Sequence, residues 1–358
     1  MRFFLFALLL FLYPGIRAEN TNETSNVGFS FKPHIGFVIV HSRELAFVKE
    51  SLPKGFMLET YHYNTGADVY DHCLCSAKTG ISFAFWDYDN PTILGRSADL
   101  SLFLEPVFRI NKSMNFSIRG AAGLSYLSNP YDSVNNPYNL SYSTKVSFNL
   151  SVGIQLNHAL SRQTQLQFGT YFNHISNGGI KEPNKGINFP TFSIGMTYVL
   201  QTPYYERNTL SLSSQRSEQS DRLSLHFSGS NKQVEMKRYY PIAGMAIQYM
   251  NAVSSLNGIG IEFEWLWHGA NYHIAELNNL KGNALSFSSA IGNELYLGRF
   301  YFQQYFGVYL KKSAAEKRDV FQRYSLFYRA GKHLMPGIGL RVHGHVADFL
   351  DLRLGYNF

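Results

Sequence analysis

Several things are scarce in this 358-residue chain. It has only two cysteines, Cys73 and Cys75. One Cys-x-Cys is no disulfide framework, so covalent staples do not organise the fold. On one strand face the two thiols would stand too far apart for an unstrained bond. A loop feature, an oxidised pair and a thiol or metal role all stay open for them. Beyond the first residues, no stretch approaches the ~18 consecutive apolar residues of a membrane helix. No Walker loop, dinucleotide fingerprint or zinc-finger spacing occurs, which leaves nucleotide and nucleic-acid binding without support. Charged residues make up only 16% of the chain.

Aromatics, by contrast, are plentiful. There are 24 Tyr and 29 Phe, yet the mean hydropathy is only -0.17. That combination suits strands with one face in lipid and the other in water. The start reads as a secretory signal over residues 1–18. Arg2 is its positive end, Phe3 to Tyr13 its apolar core, and Ile16-Arg17-Ala18 its exit. No Cys follows the apolar core, so a lipoprotein anchor is not expected. Residues 19–32 are polar and Asn/Thr-rich and read as a flexible lead-in.

From residue 33 apolar alternation hardly stops. Leu100, Leu102, Leu104, Phe108 and Ile110 share one parity, with Asp99, Ser101, Glu105 and Arg109 on the other. Val146, Phe148, Leu150, Val152, Ile154 and Leu156 likewise oppose Lys145, Ser147, Asn149, Ser151, Gly153 and Gln155. Period-2 alternation means strands. Charges on the polar face mean that face is no dry core. The fold class expected is therefore all-β, an antiparallel up-and-down transmembrane β-barrel of about 12–16 strands, that count being the range a lone sequence supports. Candidate strands fall over 33–201 and again over 223–358, joined by a polar connection at 202–222. One closed barrel is preferred; an eight-stranded barrel with a separate β domain is the alternative. Short connections at 111–113 and 161–163 alternate with long ones at 88–98, 128–143 and 177–188. Outer-membrane barrels have short periplasmic turns and long external loops, which places 177–188 outside. The connection at 65–78 is longer than that rule allows. The chain's last strand alternates Leu350, Leu352, Leu354, Tyr356 and Phe358, resembling the terminal aromatic signature of such barrels.

The residues with chemistry lie between Gln165 and Leu200. In the first strand there, Leu166, Phe168, Thr170 and Phe172 share a parity that His174 and Ser176 continue. In the next, Asn188 shares the parity of Phe192, Ile194 and Met196. A base, a hydroxyl and an amide thus project toward the apolar, lipid side. His174 and Ser176 are two apart on one face, with Cβ atoms roughly 7 Å apart. A serine is a poor nucleophile unless a base takes its proton, and histidine is the usual base. A third group should hold the other imidazole nitrogen. Asn188 can supply an amide oxygen, and Glu182 is the charged alternative. On these residues alone, polar side chains at a membrane interface remain the competing explanation.

The run His174-Ile175-Ser176-Asn177-Gly178, followed by Pro183-Asn184-x-Gly186-Ile187, resembles the PagL-type lipid A 3-O-deacylases. These are outer-membrane β-barrel esterases with a His-x-Ser-Asn motif followed by Pro-Asn-x-Gly. The resemblance implies Ser176 as nucleophile, His174 as base and Asn177 near the oxyanion, with Asn184 shaping the loop or supporting the oxyanion. The family's acid falls where this chain has Asn188. An amide can orient a histidine but stabilises its cation less. The whole length resembles an extended branch of acyloxyacyl hydrolase-like proteins, which shares the stretch His343-Gly344-His345-Val346-Ala347-Asp348-Phe349.

His343, His345 and Asp348 have zinc-ligand chemistry. Arg341 and Arg353 beside them favour a lumenal ion-pair network, so no metal is assigned. Glu105, Arg109, Arg119, Glu262, Glu264 and Glu294 read the same way. Lys181 and Lys185 could meet lipid phosphates or be solvated loop charges. The expected function is an outer-membrane esterase that removes an ester-linked acyl chain from lipid A. Lipopolysaccharide in the outer leaflet is its partner, and neither cofactor nor nucleic acid is needed. The alternative is a non-catalytic barrel, a pore or structural surface protein.

Overall fold

The alternation becomes sixteen antiparallel strands in the computed structural model, which describes residues 26–65, 75–200, 221–235, 238–254, 256–280, 283–313, 315–344 and 346–358. The first eight are β1 (Val27–Gly36), β2 (Lys54–Asn64), β3 (Ser76–Asp87), β4 (Arg96–Arg109), β5 (Met114–Leu127), β6 (Val146–Ala159), β7 (Thr164–Ser176) and β8 (Ile187–Val199). They pair in chain order, and β1 closes on β8. The second eight are β9 (Arg222–Val234), β10 (Arg238–Ala252), β11 (Asn257–His268), β12 (Leu285–Leu297), β13 (Phe300–Lys311), β14 (Val320–Tyr328), β15 (Leu334–His343) and β16 (Val346–Asn357). Here β16 closes on β9.

The expected single barrel is therefore corrected to two barrels of eight strands each. Both edges of β8 are occupied, by β7 and β1, so no edge is left for β9. Closure removes unpaired strand edges. Eight strands also make an interior that side chains can fill. A second correction concerns residues 19–32. The first strand begins at Val27, inside the expected lead-in, with Phe29 and Phe31 outward and Ser30 and Lys32 buried. The polar composition before Val27 masks that alternation. Residues 1–25, nearly all of the connection 202–222, and Cys73 lie outside the described residues. Cys75 is disulfide-bonded.

The outward faces are largely apolar. Val152 and Ile154 on β6 are each 60% exposed, and Phe192, Ile194, Phe227, Ile261 and Leu352 continue the belt. So large an apolar surface is unsuited to water and suited to lipid. The strands run from 9 to 15 residues, and about 9–11 tilted residues span the hydrocarbon. Among the described residues no helix is long and apolar enough to cross a membrane.

The inward faces are polar and filled. In the first barrel Lys32 meets Glu59 at 2.7 Å, Arg119 meets the same carboxylate at 3.0 Å, and Lys78 meets Glu105 at 3.0 Å. A cavity of about 10 Å³ remains beside Arg119 and Asp99. That is roughly one water. In the second barrel Arg323 binds Glu262 and Glu264, Arg341 binds Glu264, and Arg222 meets Glu294 at 2.6 Å. The expected lumenal network is present, except that Arg109 is exposed at a turn, where its Nε donates to the Asn111 carbonyl at 3.2 Å. Strand β4 ends there, so its parity no longer points inward.

Long connections gather at one rim of the first barrel. Val38, Leu45, Val48, Leu94 and Tyr142 from them pack on Trp86, Tyr88, Ile175 and Phe189. This apolar plug closes the lumen beneath the rim. Burial pushes the phenols of Tyr88 and Tyr142 up. Both therefore stay neutral, and Tyr142 donates to the Leu94 carbonyl at 2.5 Å. On the second barrel the connection after β11 carries a helix, α1 (Gly269–Leu277), capped by the His268 ring accepting from the Asn271 N–H.

Candidate active site

Strand β7 ends at Ser176, where the wall meets the rim plug. Its inward residues Tyr171, Asn173 and Ile175 are buried, while Phe168 and Phe172 lie exposed on the opposite face. His174 and Ser176 continue that outward parity. On β8, Ile187 and Phe189 point inward and Asn188 outward. The register pairs His174 directly with Asn188. Residues directly opposite have Cβ atoms about 5 Å apart, close enough for a direct hydrogen bond between these side chains.

That bond forms. His174 Nδ1 lies 2.6 Å from Asn188 Oδ1, and His174 Nε2 lies 3.0 Å from Ser176 Oγ. An amide oxygen only accepts, so Nδ1 carries the proton and Nε2 offers its lone pair to the serine hydroxyl. This is the tautomer a general base needs. Glu182, the charged alternative, is exposed in the loop, and its backbone N–H donates to Gln233 Oε1 at 3.2 Å.

The loop after Ser176 is held by its own amides. Asn177 Nδ2 donates to the Lys181 carbonyl at 2.6 Å and to Ser143 Oγ at 3.3 Å, and Asn177 Oδ1 accepts from the Gly179 N–H at 3.1 Å. Asn184 Oδ1 accepts from the Asn177 N–H at 2.9 Å. The Asn177 side chain is thus committed to the turn. Among the described residues no backbone carbonyl accepts from the Gly178 N–H. Lys181 Nζ donates to the Ser143 carbonyl at 3.3 Å, and Lys185 pairs with Glu44 at 2.8 Å across the rim.

Gly186 closes the loop over the base. It has φ +77°, and a Cβ there would lie 2.8 Å from His174 Cε1 and 3.5 Å from Ser176 Cβ. Only a residue without a side chain fits that backbone and that contact. The loop also touches the second barrel. A Cβ on Gly178 would lie 2.9 Å from Leu350 Cβ, and one on Gly179 (φ +80°) 2.7 Å from the Asp348 carbonyl oxygen. Ser176 is only 8% exposed. The expected open, lipid-bathed hydroxyl is instead a covered one, because loop 177–186 folds back over the strand end.

One contact escapes a strand-by-strand reading. Asn188 Nδ2 lies 3.1 Å from His41 Nδ1, and His41 Nε2 lies 2.9 Å from the Lys185 carbonyl oxygen. The parity of Ile35, Phe37, Ile39 and His41 was visible in the sequence, but the pairing of β1 with β8 was not.

The cluster around His343 holds Glu316 and Asp348, with ligand atoms within 4.8 Å of one another. His343 Nε2 is 3.0 Å from the Tyr309 hydroxyl, which accepts from Arg341 at 2.9 Å, and Asp348 is paired with Lys232. Lys232 already neutralises the Asp348 carboxylate, so the ion-pair reading fits better than a metal. His345 lies outside the described residues.

Residues 55–197 match the family model for lipid A 3-O-deacylase (PagL), and residues 221–358 match that for the acyloxyacyl hydrolase C-terminal domain. The chain is similar over both barrels to PagL-type, acyloxyacyl hydrolase-like proteins. It is thus a protein of the outer membrane, consistent with its two apolar belts. Each model falls on one of the two barrels, and the His-x-Ser-Asn motif lies within the lipid A 3-O-deacylase match. Among solved structures, the outer membrane enzyme PagL shares 14% identity over 47% of this chain and 98% of its own, with a TM-score of 0.34. Neisserial surface protein A shares 11% over 49% of this chain and 99% of its own, TM-score 0.34. Ail of Yersinia pestis shares 14% over 49% of this chain and 99% of its own, TM-score 0.30. No curated protein matches the chain.

Proposed function

We propose that this protein is an outer-membrane esterase that cleaves an ester-linked acyl chain from lipid A by serine chemistry. The observation that carries the proposal is the His174–Ser176 hydrogen bond of 3.0 Å on the outward face of β7. The family match over the first barrel supports lipid A as the substrate class.

Ser176 Oγ attacks the ester carbonyl carbon, and its proton passes to His174 Nε2. The carbonyl oxygen takes up negative charge, for which the Gly178 N–H, without a backbone acceptor among the described residues, is the candidate donor of the turn. Collapse breaks the ester bond, and the sugar oxygen leaves with the proton from His174. Water then attacks the acyl-serine, giving its proton to His174, and the fatty acid departs as Ser176 recovers its hydrogen. Asn188 holds His174 in the required tautomer throughout. No metal or organic cofactor enters these steps. Because Ser176 is covered, the ester has to slide beneath loop 177–186 to reach it. Lys181 and Lys185 lie in that loop and stand as candidate phosphate contacts, each now held by a rim partner it would have to share.

The competing reading, a non-catalytic wall protein, is favoured by one observation, the amide at position 188 in place of a carboxylate. Mass spectrometry of lipid A decides between them. Cells expressing the wild type should lose an acyl chain that cells expressing Ser176→Ala retain. Identical lipid A in both, with equal amounts of folded barrel, overturns the esterase.

A further inference from the structure

His41 reaches this site across the seam that closes the first barrel. Beyond β1 the chain keeps pairing with β8, and the Ile39 N–H donates to the Asn188 carbonyl at 2.8 Å. Ile35, Phe37 and Ile39 are exposed on the outer wall, and His41 follows on the same parity. Its ring therefore stands beside the Asn188 side chain, on the opposite side from His174.

With a neutral His41 ring the hydrogen bonds run in one direction only. The Lys185 carbonyl can only accept, so His41 Nε2 donates to it at 2.9 Å. In the neutral ring Nδ1 is then an acceptor. Asn188 Nδ2, at 3.1 Å, must donate to it. That leaves Oδ1 for His174 Nδ1 at 2.6 Å. Turned the other way, the amide would donate to His174 Nδ1 and drive the ring proton onto Nε2. A protonated Nε2 facing Ser176 cannot take the serine proton.

We propose that His41 is a positioning residue that locks the Asn188 amide with its oxygen toward His174, so that an amide performs the orienting work of a carboxylate. A carboxylate presents oxygen on both sides and needs no such lock; an amide does. The proposal rests on the Ser/His reading of the site and names what makes that reading workable with Asn at position 188.

The test uses the full chain in detergent micelles, with His41→Phe, Asn188→Asp and the double variant. Two quantities are read at one fixed pH: the rate at which a fluorophosphonate probe labels Ser176, and the ¹⁵N shifts of the His174 ring nitrogens. His41→Phe should slow labelling by about two- to tenfold, the range that one net hydrogen bond allows. The His174 signals should pass from a single Nδ1–H tautomer to a mixture. In the Asn188→Asp background, removing His41 should change neither quantity. Wild-type labelling and a single tautomer in His41→Phe would overturn the proposal. An equal loss in the Asn188→Asp background would also overturn it, marking His41 as a packing residue. If the wild type takes no label, the Ser/His reading fails, and the ¹⁵N spectra alone still decide the role of His41.

Discussion

Gly186→Ala is the most informative single methyl that can be added to this protein. Its Cβ would sit 2.8 Å from His174 Cε1 and 3.3 Å from the Ile175 carbonyl oxygen, on a backbone with φ +77°. Carbon atoms pack at about 3.5–4.0 Å, so the ring has to withdraw by roughly 0.7 Å or more. The left-handed backbone adds about 1–2 kcal/mol for a residue with a side chain. Closure of the barrel does not depend on this loop, so the strain falls on the site. A shift of that size lengthens the 3.0 Å contact between His174 Nε2 and Ser176 Oγ beyond hydrogen-bonding reach. Misplacing a reacting group by about 1 Å costs on the order of a hundredfold in rate. The assay is fluorophosphonate labelling of Ser176, read beside heat-modifiable gel mobility to show that the barrel is folded. A folded Gly186→Ala protein labelled at the wild-type rate would refute the reasoning, since the base would then not need the space that this glycine leaves.

Three further outcomes are expected. Gly179→Ala would press on the Asp348 backbone oxygen at 2.7 Å. It should slow labelling by about tenfold or more, whereas an unchanged rate would show that the second barrel does not brace the loop. Arg323→Met leaves Glu262 and Glu264 short of a buried partner. It should cost about 3–5 kcal/mol in reversible urea unfolding from detergent, and a loss below about 1 kcal/mol, the range of exposed surface pairs, would contradict a desolvated network. Ile154→Arg, in the middle of β6 on the lipid face, should destabilise the barrel by about 2–4 kcal/mol in bilayers; no change there would mean that this face does not meet hydrocarbon.

Much of this molecule can be read locally. Alternation along Val146–Leu156 or Leu350–Phe358 is a property of each strand alone, because successive side chains point to opposite faces. Strands, the lipid-facing and lumenal sets, and the outward parity of His174, Ser176 and Asn188 follow from it. The motif from His174 to Gly186 adds the chemistry, since its residues are near in sequence and in space. Tertiary structure alone decided the rest. Whether sixteen strands close once or twice depends on which edges hydrogen-bond, and no local period records that β8 returns to β1. The same closure carries His41 to Asn188 from 147 positions away. Folding of loop 177–186 back over the strand end covers Ser176, which its strand parity had left open to lipid. Side-chain direction is set within two residues, whereas the partner that a side chain finds is set by long-range pairing.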